Sequence, residues 1–380
     1  MLRAERRLAS TDIVGWDLGG AHLKAARVDA SGRAHLVVQL PCRLWMGIGE
    51  LERAIDAALA SIGQCPHHAV TMTGELADLF ADRKSGVAGL TATLRSKLPG
   101  AAILVYAGAQ GFVSPARAGR LYDSIASANF LASAEAVAAV VADALFVDLG
   151  STTADLIPIR AGTPHPRGLT DFERLASDEL VYTGVARTPV MAVAREAPVD
   201  GVWRGVMAEY FATMADVHRL TGELPPGVDL MPTADNRSRS PADSARRLAR
   251  MVGADADAHP RTVWIDVARF LAGRQLAEIE RAARRVLVES GLGATAPIVG
   301  AGAGRFLVKR LATALNRDYR DAGTILSTTR GLRDGVARCL PAVAVASLAA
   351  RRNAWRTASS RAGSSAPARP SAQSAPRKPR

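Results

Sequence analysis

The chain has 380 residues, of which 48% are hydrophobic and only 5% are aromatic. This length suffices for one large two-lobed domain or two ordinary domains, with cores built mainly from Ala, Val and Leu. The formal net charge is +12, but residues 351–380 contain eight cations and no acid, which leaves about +4 on residues 1–350. A folded part this mildly basic does not favour specific binding of nucleic acid.

The two ends of the chain differ from the part between them. Residues 351–380 are rich in Ala, Ser, Pro and Arg, so we predict a disordered basic tail that is solvated rather than bound to a polyanion. Residues 1–10 are predicted to be a flexible N-terminus, because they lead into a strand without an apolar signal core. No stretch is apolar enough to span a membrane, and three widely spaced cysteines fit a reduced, cytoplasmic setting.

The first predicted elements are two strands joined by a glycine turn that follows an aspartate. Ile13 to Val28 reads IVGWDLGGAHLKAARV, in which hydrophobic runs flank Asp17 and the glycines Gly19 and Gly20. Backbone N–H groups in such a turn can form a concave site for an anion. Lys24 in the second strand is a candidate for an additional cation at that site.

A short strand at Ala69 to Thr73 leads into a segment that contains two acids. Helical spacing predicts helices on either side of it, over Leu51 to Ile62 and Gly86 to Leu98. Glu75 and Asp78 are three residues apart, so at the start of a helix they would share one face. Such acids often only stabilise the helix dipole, and the sequence leaves that role and a catalytic role equally open.

The central stretch repeats the N-terminal pattern. A long Ala-rich helix is predicted over Ile125 to Ala144, with Asn129 near its start as either a ligand contact or a surface residue. Phe146 to Ile159 then reads FVDLGSTTADLIPI, a predicted hairpin in which Asp148 ends the first strand. Its turn offers N–H and hydroxyl donors to a phosphate without adding charge. The donors come from Gly150, Ser151, Thr152 and Thr153.

Two further candidate residues follow the central hairpin. Arg187 is a candidate anchor for a substrate carboxylate, because a guanidinium matches that group with two hydrogen bonds; a structural arginine is the alternative. Trp203 to Leu220 is predicted as a helix in which His218 lies within the apolar arc and Asp216 beside it. This geometry favours a packed role for His218 and makes Asp216 the better candidate for a site.

The last predicted elements include a third glycine turn. Ile298 to Arg305 reads IVGAGAGR, between a strand at Ala296 to Val299 and a helix at Phe306 to Leu315. One or two helices are predicted over Trp264 to Gly291, and Asp334 to Ala350 closes the fold. Glycines allow the backbone to approach a ligand closely. The candidates for substrate contact in this turn are Gly300, Gly302 and Gly304.

The order of these three turns resembles the two phosphate motifs and the adenosine motif of the actin, sugar-kinase and heat-shock-chaperone superfamily. Within it, the chain resembles the hydantoinase/oxoprolinase branch over roughly residues 10 to 345. Its longer motifs are similar to one narrow subfamily that accompanies tetrahydromethanopterin-linked one-carbon metabolism. They include TMTGELADLF at Thr71 to Phe80, SANFLASA at Ser127 to Ala134, DELVYTGVARTPV at Asp178 to Val190 and EYFATMADVHRLTGEL at Glu209 to Leu224.

The resemblance implies an α/β architecture, a duplicated ribonuclease-H-like fold of two lobes with mixed sheets flanked by helices. The N-terminal lobe would span residues 11–145, and the C-terminal lobe residues 146–350. The two aspartate turns would then face one anion from opposite lobes. Asp17 and Asp148 are the predicted metal-binding residues, because Mg²⁺ prefers one or two carboxylates together with phosphate oxygens and water.

Archaeal members of the subfamily resemble the synthase that joins an aminomethylfuran diphosphate to γ-glutamyltyramine during methanofuran biosynthesis. The resemblance therefore implies a transferase with small-molecule substrates, in which a phenol from a tyramine or tyrosine unit displaces diphosphate. The Ala- and Arg-rich composition fits a bacterial methylotroph that makes a methanofuran analogue. A phenol needs a base near neutral pH, and Glu75, Asp78 and Asp216 are the candidates.

Two other functions use the same sequence features. An ATP-dependent kinase or a hydantoinase-type hydrolase would bind ATP between the turns, with the third glycine turn near the adenosine. A noncatalytic scaffold could retain the fold alone, although acids at both turns argue against it. The sequence leaves the acceptor, the base and the oligomeric state open.

Overall fold

A computed structural model describes residues 12–326 and 330–352, which form two lobes that each contain one main sheet. The predicted flexible N-terminus at residues 1–10 lies outside the described residues, as does the predicted basic tail from residue 353 onward. Within the two described ranges, no helix combines the length and the apolar surface that crossing a membrane requires.

The N-terminal lobe contains a six-stranded sheet. Its elements, in chain order, are β1 (Ile13–Leu18), β2 (His22–Val28), β3 (Ala34–Pro41), α1 (Ile48–Ile62), β4 (His67–Met72), α2 (Arg83–Lys97), β5 (Ala102–Tyr106), β6 (Phe112–Val113), α3 (Pro115–Ala118), α4 (Tyr122–Ile125) and α5 (Asn129–Ala138). The first three strands are antiparallel because short turns join them. β4 and β5 run parallel to β1 because α1 and α2 provide the crossover connections.

The C-terminal lobe contains a second mixed sheet and a small hairpin. Its elements are β7 (Ala144–Leu149), β8 (Ala154–Arg160), β9 (Thr163–Pro164), α6 (Asp171–Ala176), β10 (Leu180–Val181), α7 (Val190–Val193), β11 (Glu196–Val199), β12 (Val202–Gly205), α8 (Met214–Leu220), α9 (Pro241–Arg250), α10 (Arg261–Ser290), β13 (Ile298–Ala301), α11 (Arg305–Ala314), β14 (Tyr319–Asp321), α12 (Ala322–Ile325), α13 (Arg333–Arg338) and α14 (Leu340–Arg351).

The two main sheets share one strand arrangement. In the first, the β1–β2 hairpin lies beside the parallel strands β4 and β5; in the second, the β7–β8 hairpin lies beside the parallel strands β13 and β14. The hairpin turns also match, because Gly19 N donates to His22 O at 3.1 Å and Gly150 N donates to Thr153 O at 2.8 Å. This repetition confirms the predicted duplicated α/β fold of two lobes with mixed sheets.

Helices α5 and α14 lie between the two sheets and contribute to a core that includes residues of both lobes. α14 packs on β1, β2 and β4 although it is the last helix of the described chain, and it also contacts α5. α5 packs on β7, β8 and β9 of the other sheet. Residues 340–350, predicted as part of the C-terminal lobe, therefore cover the sheet of the N-terminal lobe.

The C-terminal lobe carries an additional layer between β10 and β13. The β11–β12 hairpin and helices α7, α8 and α9 pack with the N-terminal half of α10 around a separate apolar core. The helix predicted over Trp203 to Leu220 was wrong in its first half, where Val202–Gly205 forms a strand. α8 begins only at Met214, because Thr213 and Asp216 form a capping box at that point.

Two other predicted helices have different bounds. Residues 74–78 form turns rather than a helix start, and α2 begins at Arg83 after an Asp82 cap whose side chain accepts from Ser85 N. The long helix predicted over Ile125 to Ala144 is shorter, because Ala144 already belongs to β7. Glu75 and Asp78 therefore do not share a helical face.

Candidate functional site

A cavity of about 480 Å³ lies where the β1–β2 turn and the β7–β8 turn approach each other from opposite lobes. The predicted phosphate-binding and metal-binding residues all line it. They are Asp17, Gly19, Gly20, Lys24, Asp148, Gly150, Ser151, Thr152 and Thr153. The structure thus brings the two aspartate hairpins to one shared cleft, as the duplicated pattern predicted.

Three charged side chains meet at the base of this cavity. Asp17 lies directly opposite Lys24 in the β1–β2 ladder, and Lys24 Nζ is 3.3 Å from Asp17 Oδ2. The other carboxylate oxygen of Asp17, Oδ1, is buried and has no hydrogen-bond partner among the described residues. Asp148 interacts electrostatically with both residues across the boundary between the lobes. Lys24 therefore offsets the charge of the buried Asp17 carboxylate and of the partly buried Asp148 carboxylate.

The electrostatics of this cluster follow from its burial. Burial raises the pKa of Asp148 to about 7, with the charges of Asp155 and Asp17 adding to the increase and Lys24 opposing it. Burial also raises the pKa of Asp17. Burial alone would lower the pKa of Lys24, but the charges of Asp17 and Asp148 outweigh that effect and raise it. The two carboxyl groups consequently favour a positively charged partner.

These two carboxylates could hold a cation together with the oxygens of a bound ligand or of water. Within the described residues, no three His, Cys, Asp or Glu side chains are grouped as a metal site. Mg²⁺ commonly binds one or two carboxylates and completes its coordination with phosphate oxygens and water. The unpartnered Oδ1 of Asp17 and the nearby Asp148 fit that pattern, with the N–H groups of the two turns available for the phosphates.

The loop before α7 supports the β7–β8 turn. Val185 N donates to Gly150 O at 3.1 Å, and Arg187 N donates to Ser151 O at 2.8 Å. The Arg187 guanidinium also donates to Thr152 Oγ1 at 3.3 Å and lines the cavity. A backbone this close leaves no room for a side chain at Gly184, whose added Cβ would lie 2.3 Å from Thr152 N.

Gly184→Ala is expected to weaken binding of magnesium diphosphate about tenfold or more. The new methyl group must displace the backbone of Ser151 and Thr152, and overpacking of this kind costs about 1–3 kcal/mol. Titration calorimetry of the purified variant measures the affinity. Gly205→Ala is the matched control, because its Cβ would meet no atom within 4 Å. Equal affinities for both variants would contradict the prediction.

The other predicted substrate contacts divide into two groups. Asn129, Arg187 and Gly302 line the cavity, as does Asp78, which was predicted as a catalytic residue. Gly300 does not: it lies within β13, where an added Cβ would be 2.6 Å from the Tyr319 ring. The prediction for Gly300 is therefore corrected to a packing role.

The third glycine turn packs against the second aspartate hairpin. Gly302 has a φ of +82°, and a Cβ on it would lie 2.4 Å from Asp148 Oδ1. Gly304 N donates to Leu149 O at 2.8 Å, and its Cβ would overlap the Leu149 side chain. Gly304 is not among the residues that line the cavity, so its predicted substrate contact is also corrected to packing.

Asp216 is buried outside the cavity, which corrects its predicted catalytic role. Its Oδ1 accepts from Arg247 Nη2 at 2.7 Å, from Ser244 Oγ at 2.9 Å and from Arg219 Nη1 at 3.2 Å. Its Oδ2 accepts from Thr213 N, which caps α8. Because Arg247 is fully buried, Asp216 serves to neutralise and orient that cation.

Asp216→Asn is expected to lower the free energy of unfolding by about 2 kcal/mol, because hydrogen bonds between charged groups become bonds to a neutral amide. Binding of magnesium diphosphate should stay unchanged, because Asp216 does not line the cavity. Urea unfolding and titration calorimetry on the same preparation measure the two quantities. A loss of diphosphate affinity without a loss of stability would contradict this structural role.

His218 is a packed histidine, in agreement with its place in the apolar arc. It is buried, its Nε2 donates to Gln275 Oε1 at 2.8 Å, and burial lowers its pKa. Gln275 Nε2 in turn donates to Thr183 Oγ1 and to Gly184 O, both at 2.9 Å. This chain of bonds connects α8 and α10 with the loop that holds the second phosphate turn.

Several residues of the cavity were missed by the sequence analysis. Asp155 follows the second turn and is paired at 2.6 Å with Arg174, whose guanidinium lies 3.6 Å from the Phe130 ring centroid. Asp171 and Ser127 also line the cavity, although they are far apart in the sequence. The position of Asp155 just after the glycine turn was a signal for it. Ser127 stood out only as the first residue of a family motif and Asp171 carried no signal, because only the fold brings the two together.

Glu75 is predicted as catalytic but does not line the cavity. Its side chain is 1% exposed, and it lies behind Ser127, whose hydroxyl is 2.9 Å from Glu75 Oε1. Burial raises the pKa of Glu75. Direct contact of its carboxyl with a substrate is therefore excluded by this arrangement, and any influence on the cavity passes through Ser127.

Residues 67–322, more than half of the chain, match the hydantoinase/oxoprolinase family. The chain is 27% identical over 337 residues to the (4-{4-[2-(gamma-L-glutamylamino)ethyl]phenoxymethyl}furan-2-yl)methanamine synthase of Methanocaldococcus jannaschii, covering 88% of this chain and 97% of that protein. It is 33% identical over 107 residues to the synthase of the same name from Methanococcus vannielii, covering 28% of this chain and 46% of that protein.

A solved structure agrees with the fold. Nucleotide-free acetone carboxylase superposes with a TM-score of 0.56 at 11% identity, covering 88% of this chain and 70% of that one. At this identity the likeness concerns the fold alone. The relatedness of the sequence over residues 67–322 is stronger, and by it this chain belongs to the hydantoinase/oxoprolinase family.

Proposed function

We propose that this protein is a transferase of methanofuran-type cofactor biosynthesis. It joins the furylmethyl carbon of an aminomethylfuran diphosphate to the phenol oxygen of γ-glutamyltyramine, or of a tyrosine analogue, and releases diphosphate. The observation that carries this proposal is the cleft in which Asp17 and Asp148 approach from opposite lobes beside two turns rich in N–H donors. The synthase names of two relatives support the choice of substrates.

The two turns are assigned to the diphosphate. The backbone N–H groups and hydroxyls around Gly20 and Ser151 would hold its oxygens, and Asp17 and Asp148 would hold Mg²⁺ beside them. When bound, Mg²⁺ would supply positive charge that stabilises the departing diphosphate. Lys24 contributes a further fixed positive charge at the same place.

The bond that breaks joins the furylmethyl carbon to a diphosphate oxygen, and its electron pair leaves with the diphosphate. The furan ring delocalises the positive charge that develops on the carbon. Donors already aligned on the leaving group lower the barrier, because they need no reorganisation as the negative charge grows. The phenol oxygen then forms the new bond to carbon and loses its proton.

The outer part of the cavity suits an aromatic acceptor that also carries charged groups. Leu76, Trp45 and Tyr182 line it with surfaces that are 52%, 43% and 69% exposed, respectively. The Arg187 guanidinium lies 5.3 Å from the Trp45 ring centroid and is positioned to receive a carboxylate. Asn129, also in the lining, can donate or accept a hydrogen bond.

The packing of the third glycine turn favours this transferase over an ATP-dependent enzyme. Gly302 and Ala303 reach the cavity, whereas Gly304 is packed against Leu149. The Arg305 guanidinium is already bound to Asp321 at 2.9 Å. A diphosphate needs only the two aspartate turns, while a nucleotide would need additional space at the third. A scaffold would gain nothing from two carboxylates, one buried and one partly buried, whose ionisation is costly.

The direct test is to incubate the full chain with the aminomethylfuran diphosphate, Mg²⁺ and γ-glutamyltyramine. Equal amounts of diphosphate and ether are expected, the first measured by a coupled colour assay and the second by mass spectrometry. Parallel reactions replace the acceptor with its tyrosine analogue or add ATP. ATP consumption without ether formation would overturn the proposal in favour of the kinase or hydrolase, and inactivity with both would overturn it in favour of a scaffold.

A further inference from the structure

A serine hydroxyl connects two carboxyl groups at one wall of the cavity. Ser127 Oγ is 2.9 Å from Glu75 Oε1 and 3.1 Å from Asp171 Oδ2. Ser127 has a φ of +54°, an unusual backbone conformation for a residue other than glycine. Such conformations persist where the surrounding structure enforces them, and they are frequent at functional sites. The hydroxyl is therefore held between the two acids by the fold.

The positions of the protons on these three groups decide the direction of their hydrogen bonds. A hydroxyl carries one hydrogen, so Ser127 can donate a full hydrogen bond to only one of the two carboxyl groups, and the other is best satisfied when it donates its own proton to the hydroxyl oxygen. Glu75 is 1% exposed, and its Oε2 has no partner among the described residues, which favours its neutral form. Asp171 is paired with Arg83 at 3.1 Å, so a cation already lies beside it. In this arrangement Glu75 donates to the Ser127 hydroxyl oxygen, and the Ser127 hydroxyl donates to Asp171.

Besides Asp17 and Asp148, which are proposed to hold the cation, the carboxylates that line the cavity are Asp78, Asp155 and Asp171. Asp171 differs from the other two. Asp155 is committed to Arg174, and Asp78 is exposed with no hydrogen bond that would orient it among the described residues. Asp171 has Oδ2 fixed by both Ser127 and Arg83, while none of the described residues donates to its Oδ1. A base must be oriented by its neighbours and open to its substrate. Asp171 meets both conditions.

We propose that Asp171 is the general base that accepts the phenol proton, and that Ser127 and Glu75 are positioning residues that orient it. This role rests on the proposed transferase function. As the phenol oxygen bonds to the furylmethyl carbon, its O–H bond breaks and the proton moves to Asp171, while the electron pair of the broken C–O bond leaves with the diphosphate. Proton and charge are then balanced, and the 20% exposure of the Asp171 side chain gives the proton a route to solvent.

The test compares acceptors of different acidity. Asp171→Asn is expected to lower ether formation from γ-glutamyltyramine by about 10²–10⁴-fold, the usual contribution of a general base. With a polyfluorinated phenol that is already ionised at the assay pH, the same variant should return to within about tenfold of wild type. The Michaelis constant for the furan diphosphate should change little, because the two aspartate turns are intact.

Two further variants test the positioning residues. Ser127→Ala removes the hydroxyl and is expected to lose about tenfold with the ordinary phenol but little with the ionised one. Glu75→Gln keeps a donor toward Ser127, so it should lose much less activity than Asp171→Asn. Asp266→Asn, which alters an ion pair with Arg269 on the exposed face of α10, is the control and should match wild type with both acceptors.

The outcomes separate this proposal from the function on which it rests. Wild type that forms no ether overturns the transferase itself. Wild type that forms ether, together with an Asp171→Asn variant that is fully active or equally impaired with both acceptors, overturns the role of Asp171 alone. Glu75→Gln as impaired as Asp171→Asn, and rescued in the same way, would overturn the assignment of Asp171 as the sole proton acceptor.

Discussion

Asp148→Asn is expected to reduce ether formation by roughly a thousandfold or more, while making the magnesium-free protein more stable at pH 8. The loss of activity follows because one of two carboxylates for the cation disappears, and a bound metal stabilises the transition state by several kcal/mol. The gain in stability follows because the amide removes a partly buried charge whose ionisation the fold disfavours. Diphosphate release and urea unfolding in the presence of a chelator measure the two effects.

The direction of the predicted stability change follows from how the free energy of unfolding depends on pH. The folded state raises the pKa of Asp148 to about 7, far above its ordinary value of 3.8, so it binds the proton more tightly than the unfolded state does. The free energy of unfolding of wild type should therefore fall between about pH 4 and pH 7 relative to that of Asp148→Asn. The difference should be small at pH 4 and constant above pH 8.

An Asp148→Asn variant that is inactive but has the same stability as wild type at both pH 4 and pH 8 would contradict the electrostatic explanation. Asp266→Asn should show neither effect, because Asp266 is 69% exposed and its loss creates no change in the cavity. Added Mg²⁺ should stabilise wild type more than Asp148→Asn, since a ligand stabilises the state that binds it.

Lys24→Met is expected to destabilise the magnesium-free protein by about 2–3 kcal/mol at pH 8. Removing one partner from a fully buried ion pair costs about 3–5 kcal/mol, and the Lys24 side chain retains 22% exposure, which reduces the cost. Asp17 and Asp148 would then face each other without a cation. The loss should shrink at pH 5, because both carboxyl groups can take up protons, and Mg²⁺ should offset part of it at pH 8.

Urea unfolding at the two pH values, with and without Mg²⁺, measures this effect. Lys97→Met is the matched control, since Lys97 pairs at 2.7 Å with Asp56, which is 56% exposed, and such surface pairs contribute little. Equal losses for the two lysine variants would contradict the assignment of Lys24 as the counterion of both aspartates. Lys24→Met should also weaken diphosphate binding by about tenfold or more, because a phosphate-side cation is lost.

The main architecture could be predicted because its signals are local. Each aspartate turn is a short segment in which hydrophobic strands flank a glycine, and the repetition of that segment at Asp17 and Asp148 revealed the duplication. Residues that belong to those turns, such as Gly19 and Thr153, were therefore predicted to lie at the shared cleft, and they line the cavity.

The rest of the site depends on contacts between distant segments. Asp171 reaches Ser127 across 44 residues and Arg83 across 88, and no periodicity connects them. Asp216 looked suitable for catalysis on its helix, but α9 brings the buried Arg247 to it. The sequence could identify which residues are polar, whereas the packing of remote helices decides which of them meet a ligand and which neutralise a buried charge.

The position of α14 has a consequence for how the protein is made. Because Leu340–Arg351 covers β1, β2 and β4, the first sheet to leave the ribosome lacks part of its apolar cover until the last described helix has been synthesised. The strands of the N-terminal lobe therefore stay exposed while more than two hundred further residues are synthesised. Chaperone binding to nascent chains should accordingly begin early and end only when that helix emerges.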